Sequence, residues 1–475
     1  MTEFRTTEHE NKALYDISLV QINSDTPERE AFKSIKISFF NNLVVFISKL
    51  IIAINLIILG HITHKKNDNY ELFMTYQIGV YVLIILGKFF ITGLLKYLFE
   101  DKEEMEELYN LYIKLKTILI FLIPIIILPI SICSYYIIEL LLIFGLGIND
   151  QTMNKKVYSQ FLLYTPAIYL FELLFILNLQ FLHYQQKRTR DVFLYIFFFI
   201  ISHITFSYIL LYLLKSDLYG LTISYLFNTF LFYLCSNRYI RKLCNETSDN
   251  FFLFPNKDNF TFELFDLLKE KSYRSLINTA DFFYLYFLFF IALFTDKNQL
   301  IVNIIYLNFY IVINSINKGF YFTIKRHIST KIEEMEFRQR YVKAFSFYFI
   351  ILSLSLFIIL IIFKNILLNL YLYKGGDQIL QKISHKLRII FPLCILISSI
   401  KMLLNGIVRG MKVIPISLVK KAIYYIGCVI ICIFLFYYYH NDIYELWVAT
   451  FILSLLIMFE ITVKEINYLK QFLHI

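Results

Sequence analysis

A carboxylate, Asp281, stands just before the aromatic run of SLINTADFFYLYFLFF (275–290), and a second, Glu172, lies six residues beyond Pro166 in another apolar stretch. Lys401 interrupts a third such stretch. A charge at bilayer depth costs about 3 kcal/mol or more unless protein or water surrounds it, so residues of this kind are functional candidates by default. Carboxylates there offer reversible protonation or binding of a monovalent cation, and an ammonium offers ion pairing or contact with an anion. Each has a plainer reading. Asp281 fits a cap at the start of its helix, and Lys401 fits a side chain that snorkels to an interface. Glu139 and Glu460 lie nearer the ends of apolar runs and are expected at the interface. His183 and His203 can relay protons, although a lone histidine in a helix bundle more often just hydrogen-bonds. The nine His form no pair at metal-ligand spacing, and the six Cys follow no zinc or redox pattern. Neither an enzyme nor a bound cofactor is expected. Pro124, Pro129, Pro166 and Pro392 read as helix kinks, which can act as hinges.

The elements that carry these residues are set by composition. Hydrophobic residues make up 58% of the 475, charged residues 17%, and mean hydropathy is +0.61. A soluble domain is nearer half apolar and a quarter charged. The apolar runs reach the roughly 20 residues that cross a bilayer core of about 30 Å. None alternates with period two, so helices are the spanning element. The fold class is an all-α polytopic membrane protein. Twelve spans are predicted: 37–62, 73–99, 112–141, 157–184, 192–214 and 217–237, then 276–295, 299–324, 342–371, 385–408, 416–439 and 443–468. Spans three and nine are the longest of these and are expected to tilt or project.

The formal charge is +10, but the basic residues fall in short loops between spans, which argues for membrane anchoring and against nucleic acid. Lys187, Arg188 and Arg190, with Arg238, Arg241, Lys242, Lys325, Arg326, Arg409 and Lys412, lie on one side. The positive-inside rule makes that side cytoplasmic, with both termini. Residues 1–36 have no short apolar core, so span one is expected to serve as the targeting signal. The predicted organisation is a tail (1–36), a first lobe (37–237), a linker (238–275), a second lobe (276–468) and a second tail (469–475). In the linker, Asn245-Glu246-Thr247 and Asn259-Phe260-Thr261 match the glycosylation pattern but cannot be used on the cytoplasmic side.

The halves repeat. Asp150 pairs with Asp377, Pro166 with Pro392 and Tyr219 with Tyr444, at offsets of 227, 226 and 225. Six spans per half give both halves the same orientation, a parallel repeat about an axis along the membrane normal. Two pseudo-symmetric six-helix lobes of this kind are a common frame for secondary transport.

Residues 403–449 carry a family likeness. Gly406-Ile407-Val408-Arg409-Gly410, then Tyr424-Tyr425-Ile426-Gly427, then Leu446-Trp447 keep the order of G-V-L-R-G, Y-Y-x-x-G and G-L-W. This resembles the multidrug and toxin extrusion (MATE) family of the multidrug/oligosaccharidyl-lipid/polysaccharide (MOP) flippase superfamily, with Glu445 where that family usually has Gly. Leu59-Gly60-His61-Ile62 resembles its G-H-L, Gln180-Phe181-Leu182-His183-Tyr184-Gln185 its R-F-L-Q-A-Q, and Pro166 a proline of its fourth span. The likeness covers most of residues 30–468. It implies a V of two lobes, a cavity that opens to alternate sides, and export of organic, often cationic, solutes driven by H⁺ or Na⁺. Asp281 matches the acidic position of the family's seventh span. The tenth-span acidic position falls on Ser398, and the first-span aspartate of prokaryotic relatives falls on Asn55. Neither serine nor asparagine takes up a proton at neutral pH, so coupling departs from the family pattern.

The expected function is therefore export of a small cationic or xenobiotic-like solute by a monomer in the plasma membrane or an organelle membrane. The rival is a flippase for a lipid-linked saccharide, in whose basic cavity Lys401, one helical turn past Ser398, has a place.

Overall fold

The computed structural model describes residues 26–38, 42–63, 88–100, 105–133, 155–185, 189–244, 262–292, 295–330, 335–363, 365–373, 378–411, 418–438 and 442–473, with Phe73, Tyr76, Gln77, Val80, Tyr136 and Gly376 besides, and nearly all of them are helical. Asp150, Lys187, Arg188, Asp377, Lys412 and both glycosylation-like triplets lie outside this set. Eight described helices are long and apolar enough to cross a membrane, among them Leu43–His61, Pro166–Tyr184, Lys297–Ser329 and Ile390–Gly410. Lys88–Glu100, Met105–Ile132, Phe262–Ala292 and Leu418–Tyr438 supply the remaining spans of the twelve.

Several predicted boundaries move. Among the described helices the longest is that of the eighth span, Lys297–Thr330, at 34 residues, and the far end of span three lies outside the described residues. Span nine ends at Ile362, and a separate short helix, Ile366–Tyr371, follows. Span ten starts at Ile390 after its own lead-in helix, Gln378–Lys386; Phe391 N–H donates to the Leu387 carbonyl and Leu393 N–H to that of Ile389, so Pro392 between them leaves the Arg388 carbonyl without that bond where the two helices join. Pro124, Pro129 and Pro166 do lie inside helices. The expected linker is largely helix: span six runs on to Leu243 and span seven begins at Phe262.

The expected tail 1–36 also holds a helix. PEREAFKSIKIS (27–38) has proline at its first position, acids in its first turn and lysine in its last, all of which favour a helix. It packs against spans eight and nine, with Phe32 against Tyr348 at 5.5 Å and Glu30 3.6 Å from His327.

Helix pairing obeys the repeat. In the first lobe, span four packs on spans two, three and six; in the second, span ten packs on eight, nine and twelve. Between lobes, span one meets eight and span two meets seven, contacts that a two-fold exchanges. The seam needs glycine. A Cβ on Gly93 would lie 2.9 Å from Ser275 Oγ of span seven, and one on Gly319, 226 residues later, would overlap the Ser38 carbonyl. Gly60 in span one leaves no room for a Cβ beside the Tyr371 carbonyl of the other lobe.

Spans five and nine turn Phe193, Phe197, Phe198, Ile351, Ile358 and Ile359 outward. Apolar faces of that size require lipid. The chain is an integral multi-pass membrane protein whose lobes hold their polar residues inside.

Candidate functional site

In the first lobe polar side chains converge inside the helix bundle. Span four carries Glu172 past the Pro166 kink, and span two carries Lys88. Lys88 Nζ lies 2.7 Å from Glu172 Oε2, with both side chains under 5% exposed. One turn away, His203 Nε2 donates to Asn55 Oδ1 at 2.6 Å, and Asn55 Nδ2 donates to the Tyr76 hydroxyl at 2.7 Å. Ser224 stands 3.4 Å from His203 Nδ1. Spans one, two, four, five and six thus meet in one network. A buried pair of opposite charges is tolerable here because each offsets the other's lost hydration.

The second lobe holds a small, partly open cavity of about 20 Å³, room for a water or two. Tyr284 of span seven, Tyr310, Asn314 and Lys318 of span eight, and Ser398 and Lys401 of span ten line it, with Tyr425 and Thr450 beyond. Ser398 Oγ donates to Asn314 Oδ1 at 2.8 Å, and Asn317 Nδ2 to Ser399 Oγ at 2.8 Å. Tyr284 stacks on Tyr425 at 5.3 Å and bonds Cys428 Sγ at 3.1 Å. Among the described lining residues there are two lysines and no carboxylate. Lys401, 6% exposed, forms no ion pair among the described residues.

The two sites are copies. An offset of 226 carries Lys88 to Asn314 and Glu172 to Ser398, so the ion pair of one lobe is the neutral hydrogen bond of the other. The same offset carries Asn55 to Asp281. Lysines continue along the seam. Lys96 Nζ reaches Asn42 Oδ1 at 3.2 Å and lies 3.1 Å from the Phe322 ring centroid, and Lys49 Nζ lies 4.8 Å from that of Phe89. Lys96 and Lys318 are both within electrostatic reach of Lys49.

The structure thus brings Ser398 and Lys401 to one cavity and Asn55 and Glu172 to the opposite lobe. Asp281 belongs to the helix Phe262–Ala292, one turn before Tyr284, and its side chain lies outside the described residues. That helix starts well upstream, so Asp281 is not its cap. Glu460 pairs with Lys420 at 3.2 Å near the end of a span, as expected of an interfacial residue.

The motif glycines have plain packing roles. Cβ atoms on Gly406 and Gly410 would come within 2.5 and 2.7 Å of Ile324 and Ile328 of span eight, whereas one on Gly427 would meet nothing within 4 Å. Arg409 and Tyr424 are half-buried. Trp447 is buried, its Nε1 donating to Asn303 Oδ1 at 3.2 Å. Sequence reasoning missed Lys88, Lys318 and the Asn55–His203 contact. The signal for Lys88 is the one that singled out Glu172, a charge inside a predicted span.

No known protein-family profile matches the sequence, and no curated protein matches it. Solved structures do. The chain is similar to the eukaryotic MATE transporter AtDTX14, with a TM-score of 0.69 at 13% identity, over 93% of this chain and 96% of that one. The lipid II flippase MurJ in an inward closed conformation gives 0.63 at 16% identity, over 89% and 87%. A MOP superfamily transporter from Pyrococcus furiosus, described by a reverse polarity of its binding pocket, gives 0.61 at 11% identity, over 94% and 97%. The fold is the one shared by MATE transporters and MurJ, twelve helices in two lobes.

Proposed function

We propose that the chain is an alternating-access transporter whose substrate bears an anionic, phosphate-type head group on an apolar body. The observation that carries this is Lys401: a buried ammonium lining a cavity with a second lysine and, among the described residues, no carboxylate. Burying an uncompensated charge is costly, and the cost is recovered when a phosphate or pyrophosphate enters. The lysines along the seam extend the same sign toward the lobe interface. Of the similar structures, one is a lipid II flippase and another carries a pocket of reverse polarity.

The cation-export reading keeps one specific support, Asp281, set one turn before Tyr284 of the cavity wall. On its sequence position we assign it the coupling of H⁺ or Na⁺, with substrate moving against that gradient. Purified protein in liposomes separates the readings. One arm holds a fluorescent lipophilic cation and the other a labelled lipid-linked sugar pyrophosphate. Lipid translocation that falls about tenfold or more in Lys401→Ala, with no cation flux, is expected; a good charge-assisted contact is worth about 1.5–3 kcal/mol. Cation flux that survives Lys401→Ala, without lipid movement, overturns the assignment. Asp281→Asn should abolish the gradient dependence in whichever arm is active, and unchanged coupling moves that role elsewhere.

We further assign the basic side, with both termini, to the cytoplasm. A cysteine introduced at Asp68 or Asp377 should then react with an impermeant reagent from the opposite side only. Labelling of Lys187→Cys from that opposite side reverses the topology.

A further inference from the structure

The ion pair of the first lobe has a two-fold copy that does without charge. Asn314–Ser398 joins spans eight and ten at 2.8 Å, as Lys88–Glu172 joins spans two and four at 2.7 Å. Holding these helices together therefore does not require an ammonium and a carboxylate. The charged version carries a desolvation cost that the neutral one avoids, so its retention points to a role for the charge itself. The surroundings of Glu172 show what that charge answers. Its Oε1 and the Tyr169 hydroxyl are buried with no well-aligned hydrogen-bond partner among the described residues, and the buried Tyr225 hydroxyl lies close to the carboxylate. Both phenols lie within electrostatic reach of the carboxylate. A carboxylate with phenol oxygens nearby is a donor set that hard monovalent cations accept. The ammonium stands at its edge, 3% exposed, on a side chain whose helix is packed on both lobes.

We propose that Lys88 is a tethered cation: its ammonium fills, at Glu172, the place a free Na⁺ would take, so the first lobe stays neutral without an ion from solution and takes no part in Na⁺ coupling. Coupling then falls to the second lobe, whose copy of the site has lost both charges. The inference concerns the ion, not the substrate, and its test reads ion binding, so it stands or falls apart from the assignment of the transported molecule.

The test compares thermal unfolding of the purified full-length protein in sodium chloride and in choline chloride at equal ionic strength, under mildly alkaline conditions. Neither the wild type nor Lys88→Arg should show any Na⁺ effect traceable to Glu172. Lys88→Met should unfold at lower temperature in choline and recover several degrees, saturably, in Na⁺. Lys88→Met combined with Glu172→Gln should show no recovery. A Na⁺-specific rise in the wild type that Glu172→Gln abolishes overturns the proposal, as does a Lys88→Met protein indifferent to Na⁺. If Lys88→Met does not purify, equilibrium binding of radioactive sodium to Lys88→Gln, with and without Glu172→Gln, decides in the same way.

Discussion

Glu172→Gln alone is expected to cost about 3–5 kcal/mol of stability, because it leaves the Lys88 ammonium buried without its carboxylate. The geometry leaves little escape. Nζ is 2.7 Å from Glu172 Oε2 and the side chain is 4% exposed, so water cannot replace the lost partner without opening the lobe. Exchanging choline for Na⁺ at constant chloride should not rescue this variant, since an extra cation only worsens the imbalance. Removing both charges tells a different story: Lys88→Met with Glu172→Gln should return to within about 1 kcal/mol of the wild type or exceed it, as replaced buried ion pairs often do. The measurement is a double-mutant cycle in detergent, by thermal or denaturant unfolding. A Glu172→Gln cost below about 1 kcal/mol, the range of an exposed pair, would show that the charges are solvated and the pair is not the buried one described.

Gly60→Val carries the second large effect, on the seam between lobes. Any Cβ at Gly60 would overlap the Tyr371 carbonyl, and Leu372 Cδ2 is already 3.0 Å away. The obstacle is backbone, which cannot rotate aside as a side chain can. Overpacking typically costs about 1–3 kcal/mol. Because only the arrangement in which span one meets Ile366–Tyr371 is affected, that cost should shift the population away from it by about 5- to 150-fold. Two readouts follow. Leu56→Cys, buried between the lobes, should react with an impermeant maleimide faster when Gly60 is valine, in a background stripped of the six native cysteines. Transport should fall in step. Gly427→Ala serves as the control, since its Cβ meets nothing within 4 Å. Equal reactivity and equal flux in Gly60→Val would mean that this contact does not open during the cycle.

The fold was legible because lipid leaves one option. Runs of apolar residues long enough to cross a bilayer must be helices, and six spans per half with matched landmarks give a parallel repeat. Boundaries were less so. PEREAFKSIKIS carries sound helix signals, but its polarity set it outside the search for spans, and its packing on spans eight and nine depends on residues some 290 positions away. The site was half legible. Glu172 and Lys401 stood out as charges in apolar runs. Lys88 lies just as deep in the predicted span 73–99, but nothing local names its partner, 84 residues away. The bond from His203 to Asn55 joins residues 148 apart, and no local pattern encodes it. What could have been read, and was not, is the repeat used as a map. An offset of 226 turns each polar residue of one lobe into a question about the other.

The seam between lobes also bears on how the protein is made. Spans emerge in order, and the first lobe is synthesised before spans seven and eight exist. Its internal pair, Lys88–Glu172, can close at once, since both partners are by then in the membrane. Its outer face cannot. Asn42 donates to the Ser315 carbonyl at 2.9 Å, and Lys96 rests on Phe322, so both wait for span eight. Until it arrives, a lysine and an asparagine are held in or beside lipid, and the bare backbone at Gly93 and Gly60 waits in turn for span seven and for Ile366–Tyr371. The insertion machinery must shelter that face through some 200 further residues of translation, and a first lobe produced alone would present it to the bilayer indefinitely.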